Sequence, residues 1–271
     1  MALRRPGCPV PAIMFMMEMK PLFNYAQFNG KPMKKQQLEQ YLQKLQLSGF
    51  EPQPDLASLT KLQDAHLKFV PYENFDCMNG KITSLKRQDM FEKVIMHNRG
   101  GICFELNGLF NWLLESIGFD VMSFAARYID KLDTYQLRRH RVMCVTIDGK
   151  RYITDVGVNS ESPRIPLELT EGLIQSDSIS QYKFTRNDFW GWLLWQKERG
   201  KPWKRLFGFT EEPQIDKDFI TPSFWCDAHP DSPFINTKKL SIVPRHNSSF
   251  SASSAIVLSF CNSHAYFAAG K

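Results

Sequence analysis

The sequence predicts an α+β fold with its helices first and its strands afterwards. Two observations support this prediction. Apolar residues recur at helical spacing up to about Ile117, whereas from Phe119 to about Phe209 short β-branched runs are separated by Asp-Gly and Asn/Ser/Pro turns. Helices that precede strands, rather than alternate with them, are typical of an α+β architecture.

Helices are predicted over residues 34–47, 56–70 and 87–98, because apolar residues in each stretch share one face. In the third stretch that face is formed by Met90, Phe91, Val94 and Ile95. A further helix is predicted over residues 104–114 (FELNGLFNWLL), although Gly108 is unfavourable in a helix interior.

The β-rich part is expected to form a small barrel or a curled sheet. Residues 138–147 and 150–157 are predicted to form two strands joined by Asp148-Gly149, a strong hairpin signal. The aromatic-rich stretch 181–195 alternates like a further pair of strands. The sequence contains no internal repeat and no glycine-rich phosphate loop.

One cysteine lies at the predicted start of a helix. Residues 99–107 read RGGICFELN, so Cys103 follows a glycine pair that lets the backbone turn and pack closely. A thiol in the first helical turn feels the positive end of the helix dipole, which favours the nucleophilic thiolate. A cysteine alone is more often an inert core residue, so this interpretation requires partners.

The predicted hairpin supplies those partners. Pairing symmetric about Asp148-Gly149 places His140 opposite about position 157, beside Asp155. An imidazole next to a carboxylate is the base-and-orienter arrangement of nucleophilic enzymes. Cys103, His140 and Asp155 are therefore the candidate catalytic residues, provided that Cys103 packs against this end of the hairpin.

The segment RGGICFELNG resembles the active-site segment of the arylamine N-acetyltransferases of bacterial type, whose pattern is RGG-x-CFE-x-N. Further segments follow in the order of that family, and the resemblance covers roughly residues 37–245. These segments are VPYEN at residues 70–74, Ala126-Arg127, the strand with His140, and DVG at residues 155–157.

This resemblance implies a cysteine-protease-like core with an N-terminal helical bundle, a central β-barrel and a C-terminal α/β lid. It also implies that Cys103, His140 and Asp155 form a catalytic triad. The expected units are an extension at residues 1–20, a helical domain at 21–118, a barrel domain at 119–209 and a lid domain at 210–271.

The implied activity is transfer of an acetyl group from acetyl-CoA to arylamines, arylhydrazines or arylhydroxylamines. The implied reaction is ping-pong, since Cys103 takes the acetyl group before the amine does, and His140 moves the protons. The implied partners are thus a small aromatic amine and coenzyme A. No nucleic acid, membrane or metal is expected, and the oligomeric state is left open.

Pocket residues follow from position in the family pattern. Val158 stands where many relatives carry phenylalanine, which should widen the acceptor pocket, and Asn159 stands where glycine is usual. Residues 229–234 (HPDSPF) are similar to the family's lid segment. This similarity implies Phe234 as a pocket wall and Ser232 as a coenzyme contact. An exposed proline-serine turn is the alternative interpretation of that segment.

Glu73 and Arg99 are the charged residues of two family-like segments, and we expect a buried ion pair between them that anchors the turn before Cys103. Removing one partner of a buried pair leaves an uncompensated charge, at a cost of about 3–5 kcal/mol. Two unrelated, solvated charges are the alternative.

Composition fits a globular enzyme of the cytoplasm. The 271 residues are 43% hydrophobic and 23% charged, which excludes wholesale disorder, and no stretch is apolar enough to span a bilayer. The net charge of +6 comes from dispersed basic residues, which could attract coenzyme phosphates but do not form a nucleic-acid footprint. Six cysteines without a CxxC pair indicate free thiols.

Both termini depart from the family pattern. Residues 1–20 resemble a signal peptide superficially, but Pro9 and Pro11 argue against one, so an extension is expected. Residues 246–270 contain no Asp, Glu, Lys or Arg and show neither the strands nor the amphipathic helix expected of relatives. Such a tail would affect coenzyme binding rather than the triad.

Other classes of protein use the same residue types. A papain-like cysteine hydrolase or thioesterase would turn over without an amine, and an amide synthase of the same family would not use acetyl-CoA. A binding module with a structural Cys103 would show ordinary thiol reactivity.

Overall fold

The computed structural model describes residues 29–129, 136–158 and 161–243, together with the backbone of residues 256–261 and 264–268. The expected extension at residues 1–20 and Asn159 lie outside these residues. Helices precede the main sheet in the chain, so the predicted α+β class is confirmed.

The N-terminal part is built from short helices around one long helix. Its helices are α1 (Lys35–Lys44), α2 (Leu56–Phe69), α3 (Phe75–Met78), α4 (Arg87–Phe91) and α5 (Cys103–Ile117). The helix predicted over residues 87–98 is divided, since α4 continues into a π-helical turn at Glu92–Met96. The other predicted helices are confirmed, with ends that differ by a few residues.

Helix α5 lies at the centre of this part. All of its residues from Cys103 to Leu114 are buried. Packing explains Gly108 in the helix interior, because a Cβ there would lie 3.2 Å from Arg141 Nη1 and 3.3 Å from Met90 Sδ. The helix ends at Gly118, whose φ of 103° is the left-handed conformation that glycine adopts at low cost.

The middle of the chain forms one eight-stranded antiparallel sheet that is nearly closed into a barrel. Its strands are β2 (Asp120–Tyr128), β3 (His140–Ile147), β4 (Lys150–Thr154), β5 (Leu167–Glu168), β6 (Gln175–Ser176), β7 (Ser180–Asn187), β8 (Gly191–Glu198) and β9 (Lys204–Gln214). Their order across the sheet is β5-β4-β3-β2-β9-β8-β7-β6. The barrel interior is filled mainly by aromatic and branched side chains, among them Phe124, Phe184, Phe207 and Phe209.

The hairpin of β3 and β4 has the predicted register. Met143 pairs with Thr154, and the pairing stays symmetric about the Asp148-Gly149 turn. Both turn residues have positive φ, 49° and 75°, as a type I′ turn requires. Strand β4 ends at Thr154, so Asp155 follows the last paired position, at the open end of the hairpin where His140 begins β3.

A smaller sheet joins a short strand of the N-terminal part to strands that follow the barrel. Its order is β1 (Tyr72–Glu73), β10 (Thr237–Ile242), β11 (Ile256–Cys261) and β12 (His264–Ala268), and helices α6 (Ile220–Ala228) and α7 (Pro233–Asn236) precede β10. The expectation that the tail has no strands is therefore wrong for β11 and β12. Pairing of backbone groups on the edge of β10 does not require an amphipathic pattern in the added strand.

Candidate active site

The turn before α5 is held by close backbone contacts. A Cβ on Gly100 would lie 2.0 Å from the Pro71 carbonyl oxygen, and one on Gly101 would lie 2.6 Å from Glu105 Oε2. The Glu73 N–H donates a hydrogen bond to the Gly101 carbonyl at 3.0 Å. Neither glycine has a positive φ, so the glycine pair serves close approach rather than a left-handed turn.

This turn places Cys103 at the N-terminus of α5. The residue is 1% exposed, so its thiol is shielded from water. Its Sγ lies 3.7 Å from the Arg139 carbonyl oxygen. The thiol is therefore beside the start of β3, where His140 is the next residue.

His140 and Asp155 form a buried pair. His140 Nε2 lies 2.6 Å from Asp155 Oδ2, and the side chains are 0% and 2% exposed. His140 Nδ1 is buried and has no hydrogen-bond partner among the residues that the structure describes. The rings of Tyr128 and Phe207 flank the imidazole, each with its centroid 5.3 Å from the imidazole centroid. One ring nitrogen is thus held by the carboxylate, and the other is available for a proton.

The loop after β4 packs on the first turn of α5. A Cβ on Gly157 would lie 2.8 Å from Cys103 Cα. Asp155 Oδ1 accepts hydrogen bonds from the Gly157 N–H and from Asn107 Nδ2, both at 2.8 Å. The structure therefore brings Cys103, His140 and Asp155 into one buried cluster, although they are far apart in sequence.

Asn107 fastens this cluster together, a role that sequence reasoning did not assign. Besides its bond to Asp155, its Nδ2 donates to the Arg141 carbonyl at 2.5 Å, and its Oδ1 accepts from the Val156 N–H at 2.8 Å. Asn107 lies four residues after Cys103, and hence on the same face of α5. That spacing was the signal available in the sequence.

Comparison with known proteins gives the family. A family model described as N-acetyltransferase matches residues 55–250, well over half of the chain. The arylamine N-acetyltransferase of Mycolicibacterium smegmatis is 32% identical over 209 residues, 75% of each chain. This chain belongs to the arylamine N-acetyltransferase family. The arylamine N-acetyltransferase of Mycobacterium tuberculosis is also 32% identical, over 67% of this chain and 66% of its own length.

Solved arylamine N-acetyltransferase structures share the fold. The M. smegmatis structure has a TM-score of 0.74 at 26% identity and covers 86% of both chains. The Salmonella typhimurium structure has a TM-score of 0.75 at 25% identity, over 86% of this chain and 84% of that one. The predicted fold class is thereby confirmed, and the chain is an enzyme of the acyltransferase class.

Burial has the largest effect on the pKa of the candidate nucleophile, Cys103. Burial, with a contribution from nearby Asp155, raises the pKa of the Cys103 thiol well above its ordinary value, and the charge of Arg139 offsets this only in part. Burial therefore outweighs any stabilisation of the thiolate by the helix terminus. Glu105 Oε2 accepts a hydrogen bond from the Ile102 N–H at 3.0 Å, so a carboxyl group also lies at this end of the helix.

The predicted ion pair between Glu73 and Arg99 is present. Arg99 Nη2 lies 2.8 Å from Glu73 Oε1, but only Glu73 is buried, because the two side chains are 39% and 3% exposed respectively. Lys93 Nζ extends the network, at 2.9 Å from Asp76 Oδ2 and 2.8 Å from Glu105 Oε1. Burial alone would raise the pKa of Asp76, but Lys93 and Arg99 lower it to about 2. The network ties the turn before Cys103 to α3 and α5.

The residues named for the pocket lie in different surroundings. Val158 is 1% exposed and packs in the barrel interior. Phe234 is 2% exposed, and the Arg139 guanidinium carbon lies 5.9 Å from its ring centroid. Ser232 is fully buried and caps α7, since its Oγ accepts from the Phe234 N–H at 3.2 Å and donates to the Cys226 carbonyl at 2.6 Å. Its hydroxyl is engaged within the protein, and a coenzyme contact there stays a prediction.

The described part of the chain contains no group of three or more His, Cys, Asp and Glu residues that could hold a metal ion. None of its helices is long and apolar enough to cross a bilayer. The cysteines in this part are unpaired, and they are Cys77, Cys103, Cys144 and Cys226.

Proposed function

We propose that this chain transfers an acetyl group from acetyl-CoA to aromatic amines through an acetyl-cysteine intermediate at Cys103. The observation that carries the proposal is the buried His140–Asp155 pair, 2.6 Å apart, in the cluster formed where the loop after Asp155 packs on the first turn of α5. An imidazole with one nitrogen on a carboxylate and the other unpartnered is arranged to take a proton from a neighbouring thiol.

In the first half-reaction, His140 Nδ1 takes the proton of the Cys103 thiol, and Sγ attacks the carbonyl carbon of the acetyl thioester. A buried thiol with a raised pKa requires such a base. When the tetrahedral intermediate collapses, its bond to the coenzyme A sulfur breaks, and that sulfur leaves with the proton from His140. Acetyl-Cys103 and a neutral imidazole remain.

In the second half-reaction, the amine nitrogen attacks the acetyl carbonyl carbon. His140 Nδ1 accepts the proton that the nitrogen loses and returns it to Cys103 Sγ as the C–S bond breaks. Anilines and hydrazines suit this step because they are largely unprotonated, and hence nucleophilic, at neutral pH. The burial of Cys103 would keep water from competing with the amine.

Two groups support these steps. Asp155 holds the imidazole in one tautomer and stabilises the imidazolium that forms. The Cys103 N–H, at the first position of α5, has no acceptor within the helix, and it supplies one hydrogen bond to the oxyanion of each tetrahedral intermediate.

The substrate class and the compartment are also proposals. A relative from Salmonella typhimurium, 31% identical over 182 residues, is named both arylamine N-acetyltransferase and N-hydroxyarylamine O-acetyltransferase. This name supports arylamines and arylhydroxylamines as acceptors here. The unpaired cysteines of the described residues support a reducing compartment such as the cytoplasm.

The proposal is tested by intact-protein mass spectrometry after brief exposure to acetyl-CoA without an amine. We expect one added acetyl group on Cys103, discharged on addition of an aniline or a hydrazine. Cys103→Ala should lack the adduct. Cys144→Ala, which removes a buried thiol of the barrel, is the matched control and should retain it.

Three results would overturn the proposal. An adduct that water removes as fast as an amine indicates a thioesterase. Absence of an adduct, with Cys103 still rapidly alkylated, indicates a different acyl donor, as for an amide synthase. Absence of the adduct together with slow alkylation of Cys103 indicates that this cysteine is structural.

A further inference from the structure

Two cationic side chains, those of Arg139 and Lys239, interact electrostatically with the Cys103 thiol. Arg139 directly precedes His140, and its own carbonyl oxygen lies 3.7 Å from Cys103 Sγ. Lys239 lies on β10 of the smaller sheet. Both side chains are half-buried. Within the described residues, no carboxylate forms an ion pair with either cation.

Aromatic rings lie beside both cations. The Arg139 guanidinium carbon lies 5.8 Å from the ring centroid of Tyr128 and 5.9 Å from those of Trp225 and Phe234. Lys239 Nζ lies 5.2 Å from the Phe234 centroid. The two positive charges therefore share one aromatic ring as a neighbour.

Two buried carboxylates of this region, Asp155 and Asp227, are engaged elsewhere. Asp155 is bonded to His140. Asp227 accepts hydrogen bonds from the Thr83 N–H at 2.8 Å, from Thr83 Oγ1 at 2.9 Å and from Cys77 Sγ at 3.1 Å. Neither is free to neutralise Arg139 or Lys239.

The two unpaired positive charges affect each other. Burial and the neighbouring charge of Arg139 lower the pKa of the Lys239 ammonium. Like charges held together in a partly dry site destabilise the protein unless an anion joins them. The Arg139 guanidinium has five N–H donors, of which Nη2 uses one on Gln136 Oε1 at 3.1 Å. Donors therefore remain for a ligand.

We propose that Arg139 and Lys239 form an anion-recognition site beside Cys103 that favours substrates carrying a carboxylate. This inference deepens the proposed function and rests on it for the identity of the reaction. The carboxylate belongs either to the acyl group of the donor or to the ring of the aromatic amine. In coenzyme A the pantetheine arm separates the phosphates from the reacting thioester.

The first test needs no acetyl transfer. Iodoacetate and iodoacetamide alkylate the same thiolate with loss of iodide, but only iodoacetate carries a negative charge. The ratio of their rates at Cys103, followed by mass spectrometry, therefore reports the charge around Sγ. We expect Arg139→Gln and Lys239→Gln each to lower the iodoacetate-to-iodoacetamide rate ratio by about fivefold. Arg139→Lys keeps the positive charge and should retain most of the parent ratio.

Neighbouring residues provide matched controls. Arg138→Gln and Lys238→Gln remove the same charges one position away. Arg138 is paired with Glu212 at 2.9 Å, and Lys238 is exposed, so the ratio should stay near the parent value in both. If Arg139 and Lys239 act only by stabilising the thiolate, both reagents slow equally and the ratio is unchanged. An unchanged ratio overturns the inference.

The second test identifies the source of the carboxylate. Discharge of acetyl-Cys103 by 4-aminobenzoate is compared with discharge by neutral 4-aminobenzamide, and acylation by succinyl-CoA is compared with acylation by butyryl-CoA. A charge-assisted hydrogen bond predicts that the anionic-to-neutral rate ratio falls by about tenfold or more in Arg139→Gln and Lys239→Gln.

A fall in the amine series shows that the carboxylate belongs to the aromatic amine, and a fall in the acyl-CoA series shows that it belongs to the acyl group. A fall in neither series overturns the inference. A parent protein that is not acylated at all but keeps its preference for iodoacetate overturns the proposed function instead.

Discussion

Replacing Asn107 with alanine tests whether the packing around Asp155 supports the catalytic pair. Asn107 is fully buried and makes three hydrogen bonds, to Asp155, to the Arg141 carbonyl and to the Val156 N–H. A neutral hydrogen bond contributes about 1 kcal/mol, and one to a charged group about 1.5–3 kcal/mol. The sum predicts a loss of about 4 kcal/mol in the free energy of unfolding, a large share of the roughly 5–15 kcal/mol typical of a domain.

The assay has two parts. Urea unfolding followed by circular dichroism measures the free energy of unfolding, and stopped reactions with acetyl-CoA measure the rate of Cys103 acetylation. Because Asp155 keeps its bond from the Gly157 N–H, we expect acetylation in Asn107→Ala to slow by about tenfold rather than to stop.

A matched control lies one helical turn further on. Asn111 is also buried on α5, but its side chain bonds Glu115 at 2.7 Å and Ser123 at 3.2 Å, and neither of these residues touches Asp155. By the same figures Asn111→Ala should lose about 3 kcal/mol of stability, with acetylation close to the parent rate. The reasoning is refuted if Asn107→Ala keeps the parent stability, or if both variants lose the same fraction of activity.

Three further perturbations have defined outcomes. Gly100→Ala should lower the melting temperature by many degrees, because its Cβ would lie 2.0 Å from a backbone carbonyl oxygen, and a melting curve like the parent's would contradict this contact. Asp76→Asn should destabilise the protein at pH 7. The difference in unfolding free energy between parent and variant should vanish as the pH falls from about 4 through the folded-state pKa of about 2, because the parent carboxylate then becomes protonated too. Urea titrations that show a constant difference across this range exclude a charged role for Asp76. His140→Gln should leave the buried Cys103 thiol protonated at neutral pH. The rate of its alkylation by iodoacetamide should therefore still increase with pH at pH 9, and a rate that levels off below that pH contradicts a raised pKa.

The parts of the site that sequence predicts are those encoded locally. The Asp148-Gly149 turn determines the register of its own hairpin, and this brings His140 close to Asp155 without any long-range information. The glycine pair before Cys103 likewise indicates close backbone approach, although its partner, the Pro71 carbonyl, follows only from the three-dimensional structure.

The parts that sequence misses depend on contacts between distant segments. Lys239 is one of two adjacent lysines on β10, and only the fold shows that it, rather than Lys238, lies near the Phe234 ring and Arg139. Sequence also does not give the acidity of Cys103, because burial has the largest effect on its pKa and sequence does not show how deeply a side chain is buried. The strands of the tail were missed because backbone pairing to β10 compensates for a weak local pattern.

The two-residue strand β1 has a consequence for how the enzyme is made. Tyr72 pairs with Ser241 on β10, and it also bridges to Gly101 in the turn that carries Cys103. During synthesis, therefore, the segment beside the nucleophile lacks its neighbouring strand until β10 has left the ribosome. A nascent chain halted after the barrel already contains the candidate triad residues. It lacks β10, however, which pairs with β1 next to the turn before Cys103. Catalytic competence is thus expected only once β10 has emerged, which is well after the candidate triad residues.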